Sequence, residues 1–235
     1  MPRRISRYAP RKPEVRFDLE AHSGRSVSYT IMAHEKRRTW AEKLAEQLSC
    51  DITWDQKNDR HDTGMRAIKN YGNATHHCVI QDDALLADDF KFHVEQLVQY
   101  VDDGCPIGLY YGAKGAQNSA HVQAHNEAMS FDARFLIRKG PIWGPGIIYP
   151  VSSIPKLEKF YNSSVVQNYD RRVMRFYESI GKPCWYTIPS LVEHRVDDNP
   201  SLCGHNKPNR QARLFHGPQS DLELRWKGPA VRSRL

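Results

Sequence analysis

Two adjacent carboxylates, Asp82 and Asp83, follow an apolar stretch at 76–81 that has the composition of a buried strand. Carboxylates at the end of such a strand are costly to bury unless their charge is compensated. A divalent cation bound by carboxylate oxygens compensates it well. The alternative is that both residues shape a turn and cap the next helix, because Asp is favoured just before a helix. Residues elsewhere in the chain must decide between these interpretations.

Three more residues have side chains that could take part in chemistry. Asp55 ends a short strand at 51–55, Asp170 opens a helix that begins near 168, and His194 closes a late Pro-Ser-Leu-Val-Glu-His segment. A carboxylate at a helix start can act as a general base, and an imidazole can bind a transition metal. The alternatives are an acid favoured by the helix dipole at Asp170 and a backbone-bonded imidazole at His194.

The elements that must position these residues alternate in the first half of the chain. We predict strands at 27–33, 51–55, 76–83 and 106–111, separated by helices that begin near 39, contain 65–68 and cover 90–101. This alternation predicts an α/β fold with a mostly parallel central sheet flanked by helices, in a Rossmann-like arrangement. Ligands of such sheets bind outside the carboxyl ends of the strands, where Asp55, Asp82 and Asp83 are expected.

The second half follows a different pattern. A polar stretch at 116–127 precedes the segment 141–150, in which Trp143 is followed by Gly-Pro-Gly, a sequence typical of a tight turn. Helices are expected near 154–161 and 168–180, and a strand at 184–188. The chain then becomes polar and irregular.

The net charge of +7 is concentrated at the two ends. Residues 1–26 hold seven Lys/Arg against three Asp/Glu, and residues 205–235 hold seven against two, so the remainder is near neutral. We therefore expect an irregular basic arm at 1–26 and a basic tail at 216–235, on either side of a near-neutral domain. Basic ends suit a polyanion such as nucleic acid. They are also found simply as solvated ends that aid solubility.

Composition excludes several classes of protein. No apolar run approaches the length needed to cross a membrane, and no apolar stretch follows the basic N-terminus, so we expect neither membrane association nor a secretory signal. The five cysteines are widely spaced and odd in number, which indicates reduced thiols in a cytosol.

The order of these features resembles a GT-A glycosyltransferase, most closely the compact glycosyltransferases encoded by bacteriophages. The resemblance spans about 27–215 and rests on the strand ending in Asp82-Asp83, the Trp143-Gly144 turn, the acidic helix start and the late segment ending in His194. It implies Mn²⁺ or Mg²⁺ bound by Asp83, Asp82 and His194. It also implies Asp170 as catalytic base if the enzyme inverts configuration, or a positioning group if it retains it. Gln81 departs from the acid often found first in the metal motif.

The resemblance further implies a nucleotide-sugar donor, most simply a UDP-sugar. For each charged candidate, a surface salt bridge is an equally valid interpretation, and Trp143 could be a core residue. The loop at 197–213 would close over the bound nucleotide. The implied donor-binding residues are Asp55, Arg37 (or its neighbour Arg38), Arg66, Asp82, Trp143, Gly144 and Arg213.

The acceptor is expected to be a 5-hydroxymethylpyrimidine in DNA, because some phage enzymes of this kind modify such bases and the ends of the chain are basic. A virion or host protein, or a glycan, is the alternative acceptor. A nucleic-acid-binding domain without catalysis is a second alternative function. We expect a monomer or weak homodimer in the cytoplasm of a bacterial host. The residues expected to contact DNA are Arg3, Arg4, Arg7, Arg11, Lys12, Lys207 and Arg210.

Overall fold

The computed structural model describes residues 16–112, 120–166, 168–195, 211–217 and 224–233. Within these ranges the chain forms strands and helices in an alternating order. The strands are β1 (Arg16–Asp18), β2 (Val27–Ala33), β3 (Asp51–Trp54), β4 (His76–Gln81), β5 (Ala84–Leu86), β6 (Ile107–Gly108), β7 (Phe135–Arg138), β8 (Gly146–Pro150), β9 (Cys184–Thr187), β10 (Val192–His194) and β11 (Pro229–Arg232). The helices are α1 (Arg38–Leu48), α2 (Arg60–Lys69), α3 (Phe90–Leu97), α4 (Ala120–Ser130), α5 (Ile154–Ser163) and α6 (Tyr169–Ser179).

The predicted α/β architecture is confirmed. A nine-stranded sheet has the order β1-β11-β7-β9-β6-β8-β4-β2-β3. The pairs β2–β3, β2–β4, β6–β9 and β7–β11 are parallel, and the other four pairs are antiparallel. Six strands therefore share one direction, while β7, β8 and β11 oppose it. The sheet is mixed, and less parallel than the sequence pattern indicated.

The reversal of β8 was not predicted. It runs antiparallel between β4 and β6, with Ile80 opposite Gly146. An antiparallel strand needs no crossover helix before it, so the helix–strand alternation gives no signal for its direction. Because β8 runs opposite to β4, the turn that precedes it lies at the same edge of the sheet as Asp82 and Asp83.

Helices cover both faces of the sheet. On one face α1 and α3 contribute Leu44 and Val94 to the core, together with Ile31 and Ile80 from the strands. On the other face α2, α4, α5 and α6 pack against a second cluster that contains Val79. Neighbouring residues of β4 thus point to opposite faces, as the period of a strand requires, and the strand is buried on both sides.

The ends of the described chain differ from the expected irregular arms. Residues 16–18 and 229–232 pair as antiparallel strands, with Phe17 opposite Ala230, and β11 continues the sheet beside β7. Both strands lie outside the predicted domain bounds of 27–215. They are too short for sequence periodicity to reveal them, and each is held by its neighbours in the sheet.

The structure also differs from two local predictions. The polar stretch at 116–127 contains the start of α4, and the strand expected at 106–111 is limited to Ile107–Gly108. In the described ranges no helix is long and apolar enough to cross a membrane. The cysteines described there, Cys50, Cys78, Cys105 and Cys184, are free thiols.

Candidate active site

Asp82 and Asp83 lie where β4 ends, at the edge of the sheet where β2 and β3 also end. The Asp82 N–H donates to the Met32 carbonyl over 3.1 Å, so the ladder between β2 and β4 continues past the last strand residue. This backbone bond fixes the turn that follows. Both side chains are buried, with Asp82 4% exposed and Asp83 8% exposed.

A buried arginine compensates the two carboxylates. Arg37 comes from a 3₁₀ turn directly after β2, and it is 8% exposed. Its Nη1 lies 2.6 Å from Asp82 Oδ1 and 3.1 Å from Asp83 Oδ2. The predicted nucleotide-binding arginine and the predicted metal-binding carboxylates are therefore in one cluster. One positive charge faces two negative charges, so this cluster has a net negative charge.

Asp82 also accepts the backbone N–H of His34 at its second oxygen, over 2.7 Å. Both of its oxygens are thus engaged by donors from the loop after β2. Burial raises the pKa of the Asp82 carboxyl, while the Arg37 charge and the His34 N–H act against that rise. These contacts tie Arg37 and the loop after β2 to Asp82, and the cation contact predicted for Asp82 stays a prediction.

His194 reaches the carboxylates through a small two-stranded sheet. β10 pairs antiparallel with β5, and this register places His194 opposite Ala84, next to Asp83. His194 Nδ1 lies 3.7 Å from Asp83 Oδ2, and the Arg195 N–H donates to the Asp83 carbonyl over 2.9 Å. Two residues far apart in sequence are thereby brought into one buried pair.

Neighbouring side chains fix the position of His194. Its ring meets the ring of Tyr110 edge-on, with centroids 5.1 Å apart. Glu193 accepts the backbone N–H groups of His194 and Ala212, so the late segment 211–217 is tied to β10. The Arg195 guanidinium lies 5.1 Å from the ring centroid of Trp40 on α1. The sequence analysis identified none of these supports, because each depends on long-range strand pairing.

The donor set can be tested against a divalent cation. A carboxylate oxygen of Asp83 and an imidazole nitrogen of His194 are suitable ligands for Mn²⁺. In the described part of the chain, no three side chains of His, Cys, Asp or Glu are arranged to hold a metal ion. Asp83 and His194, 3.7 Å apart, would be the pair that holds such a cation.

The Trp143–Gly144 turn lies against the end of β4. The Gln81 N–H donates to the Pro145 carbonyl over 3.0 Å, and a Cβ built on Gly144 would lie 2.6 Å from Gln81 Nε2. A side chain at position 144 would therefore displace the Gln81 amide. The half-buried Trp143 packs edge-on against Tyr111, with centroids 5.0 Å apart, and this contact holds the turn in place.

Asp170 occupies the first turn of α6, on the face covered by α2 and α5. Tyr169 fixes this helix end, because its ring packs against Gly64 and its hydroxyl lies 2.6 Å from that of Tyr149. Burial raises the pKa of the Asp170 carboxyl, and the Arg171 N–H and the charges of Arg171 and Arg60 oppose the rise. The contacts described for Asp170 are with these groups, and none joins it to Asp83 or His194.

The remaining candidates are spread more widely. Asp55 Oδ1 accepts the N–H groups of Lys57 and Asp59, each over 3.1 Å, so it shapes the loop after β3. Arg66 pairs with Asp62 over 2.8 Å and donates to the Trp54 carbonyl. It lines a cavity of about 380 Å³ beside β3.

Arg213 donates to Asn126 on α4 over 3.0 Å, and its backbone N–H donates to the Tyr111 carbonyl. The structure does not join Arg213 or Arg66 to the pair formed by Asp83 and His194. The expected DNA contacts Arg3, Arg4, Arg7, Arg11, Lys12, Lys207 and Arg210 lie outside the described residues, and so do most of the residues of the proposed lid at 197–213.

Comparison with known proteins gives only distant likenesses. No protein-family model and no curated protein matches the chain. Among solved structures, a glycosyltransferase involved in glycosylation of the major capsid of PBCV-1 aligns with a TM-score of 0.42 at 9% identity, covering 73% of this chain and 94% of that one. A mutant of Drosophila beta-1,4-galactosyltransferase 7 in complex with manganese, UDP-Gal and xylobiose aligns with a TM-score of 0.39 at 9% identity, covering 87% and 92%. TM-scores this low carry no argument about the activity of this chain.

Proposed function

We propose that this chain is a GT-A-type glycosyltransferase that moves a sugar from a nucleotide-sugar donor, most simply a UDP-sugar, to a hydroxyl acceptor. One observation carries the proposal. Asp83 and His194 form a buried pair 3.7 Å apart, beside the buried Arg37, at the sheet edge where β2, β3 and β4 end. Ligands of α/β sheets bind at this edge, and a carboxylate, an imidazole and a guanidinium together suit a cation bound to a diphosphate.

Asp83 and His194 would hold Mn²⁺ or Mg²⁺, which neutralises charge on the diphosphate leaving group. Arg37 lies beside them and can donate to the same phosphates. Trp143 and Gly144 would form the wall next to the sugar, and Asp55 would lie near the base or ribose. These roles suit a donor that lies across the carboxyl ends of β2, β3 and β4.

The transfer itself needs a base. In an inverting reaction, the acceptor oxygen attacks the anomeric carbon, the bond from that carbon to the diphosphate oxygen breaks, and Asp170 takes the acceptor proton. A carboxyl whose pKa is raised by burial is a stronger base than an exposed one. In a retaining reaction, Asp170 would serve only to position the acceptor.

The donor proposal is tested by binding and hydrolysis. The protein is mixed with UDP-glucose, UDP-galactose and UDP-N-acetylglucosamine with and without Mn²⁺, and thermal stability and UDP release are measured. Asp83→Asn and His194→Ala should abolish any Mn²⁺-dependent stabilisation. Asp51→Asn, at an exposed carboxylate on β3, is the matched control. If no sugar nucleotide stabilises the wild-type protein or is hydrolysed by it, the proposal is wrong.

For the acceptor we retain 5-hydroxymethylpyrimidine in DNA, on the charge of the two ends of the chain. Labelled sugar from the active donor should enter a duplex that contains 5-hydroxymethylcytosine or 5-hydroxymethyluracil and should not enter the same duplex with unmodified bases. Transfer to a protein or glycan in the absence of transfer to DNA would favour the alternative acceptor. Salt-dependent DNA binding without any donor binding would favour the non-catalytic alternative.

A further inference from the structure

A second cavity, which we name the α3 pocket, has a volume of about 560 Å³ and lies between α3 and residues 224–227. None of the residues that line it belongs to the site described above. The lining includes Phe92, His93, His216 and Trp226, together with two cations and one carboxylate. Its volume is typical of pockets that hold small organic ligands.

The wall of the α3 pocket is firmly built. Trp226 is 3% exposed, and its Nε1–H donates to His93 Nδ1 over 3.3 Å. The Trp226 ring also packs against Phe135 of β7, with centroids 5.6 Å apart. The neighbours of this anchored residue, Arg225 and Lys227, are exposed on either side of it. The two cations are therefore held at the pocket by a buried tryptophan.

Two features of the pocket call for a ligand. His216 is only 7% exposed, yet its Nδ1 has no hydrogen-bond partner in the part of the chain that the structure describes. Buried polar atoms in folded proteins are almost always hydrogen-bonded. In addition, Phe92 is 57% exposed beside the cavity, so its ring is accessible to a ligand there.

The chemistry of the lining indicates what the ligand is. Arg225 and Lys227 line the pocket with one carboxylate, Asp89, and the Asp88 carboxylate also acts on His216. The exposed Lys227 ammonium can meet an anion. The exposed ring of Phe92 suits a planar ring, and the buried His216 nitrogen suits a polar group of that ring or its sugar. Burial lowers the pKa of His216, so its ring is neutral near pH 7 and can either donate or accept. A nucleotide combines these groups, and aromatic stacking plus basic side chains is how single strands are bound.

We propose that the α3 pocket binds one nucleotide unit of a nucleic-acid strand, with its base against Phe92 and its phosphate at Arg225 and Lys227. The pocket would hold a strand at a place separate from Asp83 and His194. The proposal does not depend on the glycosyltransferase function, because none of its residues takes part in donor binding.

The test uses the full chain and a fluorescein-labelled dodecamer of thymidine. Phe92→Ala should weaken binding about fivefold or more, which corresponds to the loss of one stacked base. Lys227→Glu should weaken binding about tenfold and reduce the slope against salt by at least one. Lys159→Glu makes the same charge change at an exposed position of α5, on the opposite face of the sheet, and should have little effect. Because Phe92 and Lys227 are exposed, both variants should keep the wild-type urea midpoint.

Competition with other anionic ligands shows what the pocket recognises. If thymidine monophosphate displaces the strand in a Phe92-dependent way, the pocket recognises a single nucleotide. If only longer strands compete, the pocket recognises the nucleotide within a strand. Heparin is anionic but has no bases, so Phe92→Ala should leave heparin binding unchanged. The proposal is overturned if Phe92→Ala binds the strand as tightly as wild type, or if Lys227→Glu is no weaker than Lys159→Glu.

Discussion

Replacing Arg37 by Met should destabilise the fold strongly at neutral pH. The guanidinium lies within hydrogen-bonding distance of both Asp82 and Asp83, and all three side chains are buried. Its loss would leave two carboxylates side by side with little solvent. Breaking a buried ion pair by removing one partner costs about 3–5 kcal/mol, because the remaining charge is uncompensated. We expect a loss of that size at pH 7.5.

The loss of stability in Arg37→Met should be smaller at acidic pH. The direction of this pH dependence follows from the folded-state and unfolded-state pKa values of the carboxyl that Arg37 faces. Without Arg37, burial and repulsion from Asp83 would hold the folded-state pKa of the Asp82 carboxyl further above the unfolded value, which is about 3.9. The folded state would then bind more protons than the unfolded state. The contribution of this protonation to the stability of Arg37→Met is therefore fully present below the unfolded-state pKa. It is lost as the pH rises through the raised folded-state pKa. The difference in unfolding free energy between Arg37→Met and wild type should narrow as the pH falls from about 7.5 to about 5.

Urea unfolding followed by tryptophan fluorescence measures the effect at both pH values. Arg38→Met is the matched control. Arg38 is half exposed, with surface pairs to Glu35 and Glu42, and its replacement should lower stability far less than the replacement of Arg37. Adding Asp82→Asn to Arg37→Met should recover part of the loss, because one uncompensated charge is removed. Mn²⁺ alone should stabilise Arg37→Met more than wild type. An Arg37→Met protein within about 1 kcal/mol of wild type, or a deficit that does not change with pH, would refute the reasoning.

Three further predictions concern the neighbouring elements. Gly64→Ala should cost about 1–3 kcal/mol in urea unfolding, because its Cβ would lie 2.4 Å from the buried ring of Tyr169, and an unchanged midpoint would contradict this packing. Gly144→Ala should lower sugar-nucleotide turnover while costing only about 1 kcal/mol of stability, since it displaces the movable amide of Gln81; turnover equal to wild type would show that this turn does not shape the site. Asp170→Asn should lower kcat by roughly 10²–10⁴-fold with little change in KM. It should also remove the acidic limb of the pH profile, which in wild type should lie above the ordinary carboxyl pKa; a limb that persists in Asp170→Asn would assign it to another group.

The first half of the fold could be predicted because its signals are local. The strand predicted at 27–33 is observed with the same bounds, and β4 is an apolar run that ends in polar residues. Parallel strands joined by helices place their carboxyl ends together, which is enough to bring Asp82 and Asp83 near the loop after β2. The cluster of Arg37 with these carboxylates follows from that topology.

The second half depends on pairing that no local pattern records. β5 and β10 are three residues each, yet their register decides that His194 lies beside Asp83. The hydrogen bonds of Asp82 were not predicted either, since the donors that reach both its oxygens come from the turn after β2. A sequence shows which carboxylates the chain contains, whereas only the folded backbone shows which donors each of them meets.

The pairing of β1 with β11 has a consequence for synthesis of the protein. Residues 16–18 leave the ribosome long before 229–232, their sheet partner in the described chain. This strand pair can therefore form only after residue 232 has left the ribosome, and such long-range pairing forms slowly. Until then the edge of β7 that β11 covers remains open to other strands. Chains that stop before residue 229 should consequently associate through this edge, and the aggregation of such fragments would report how late in folding the sheet closes.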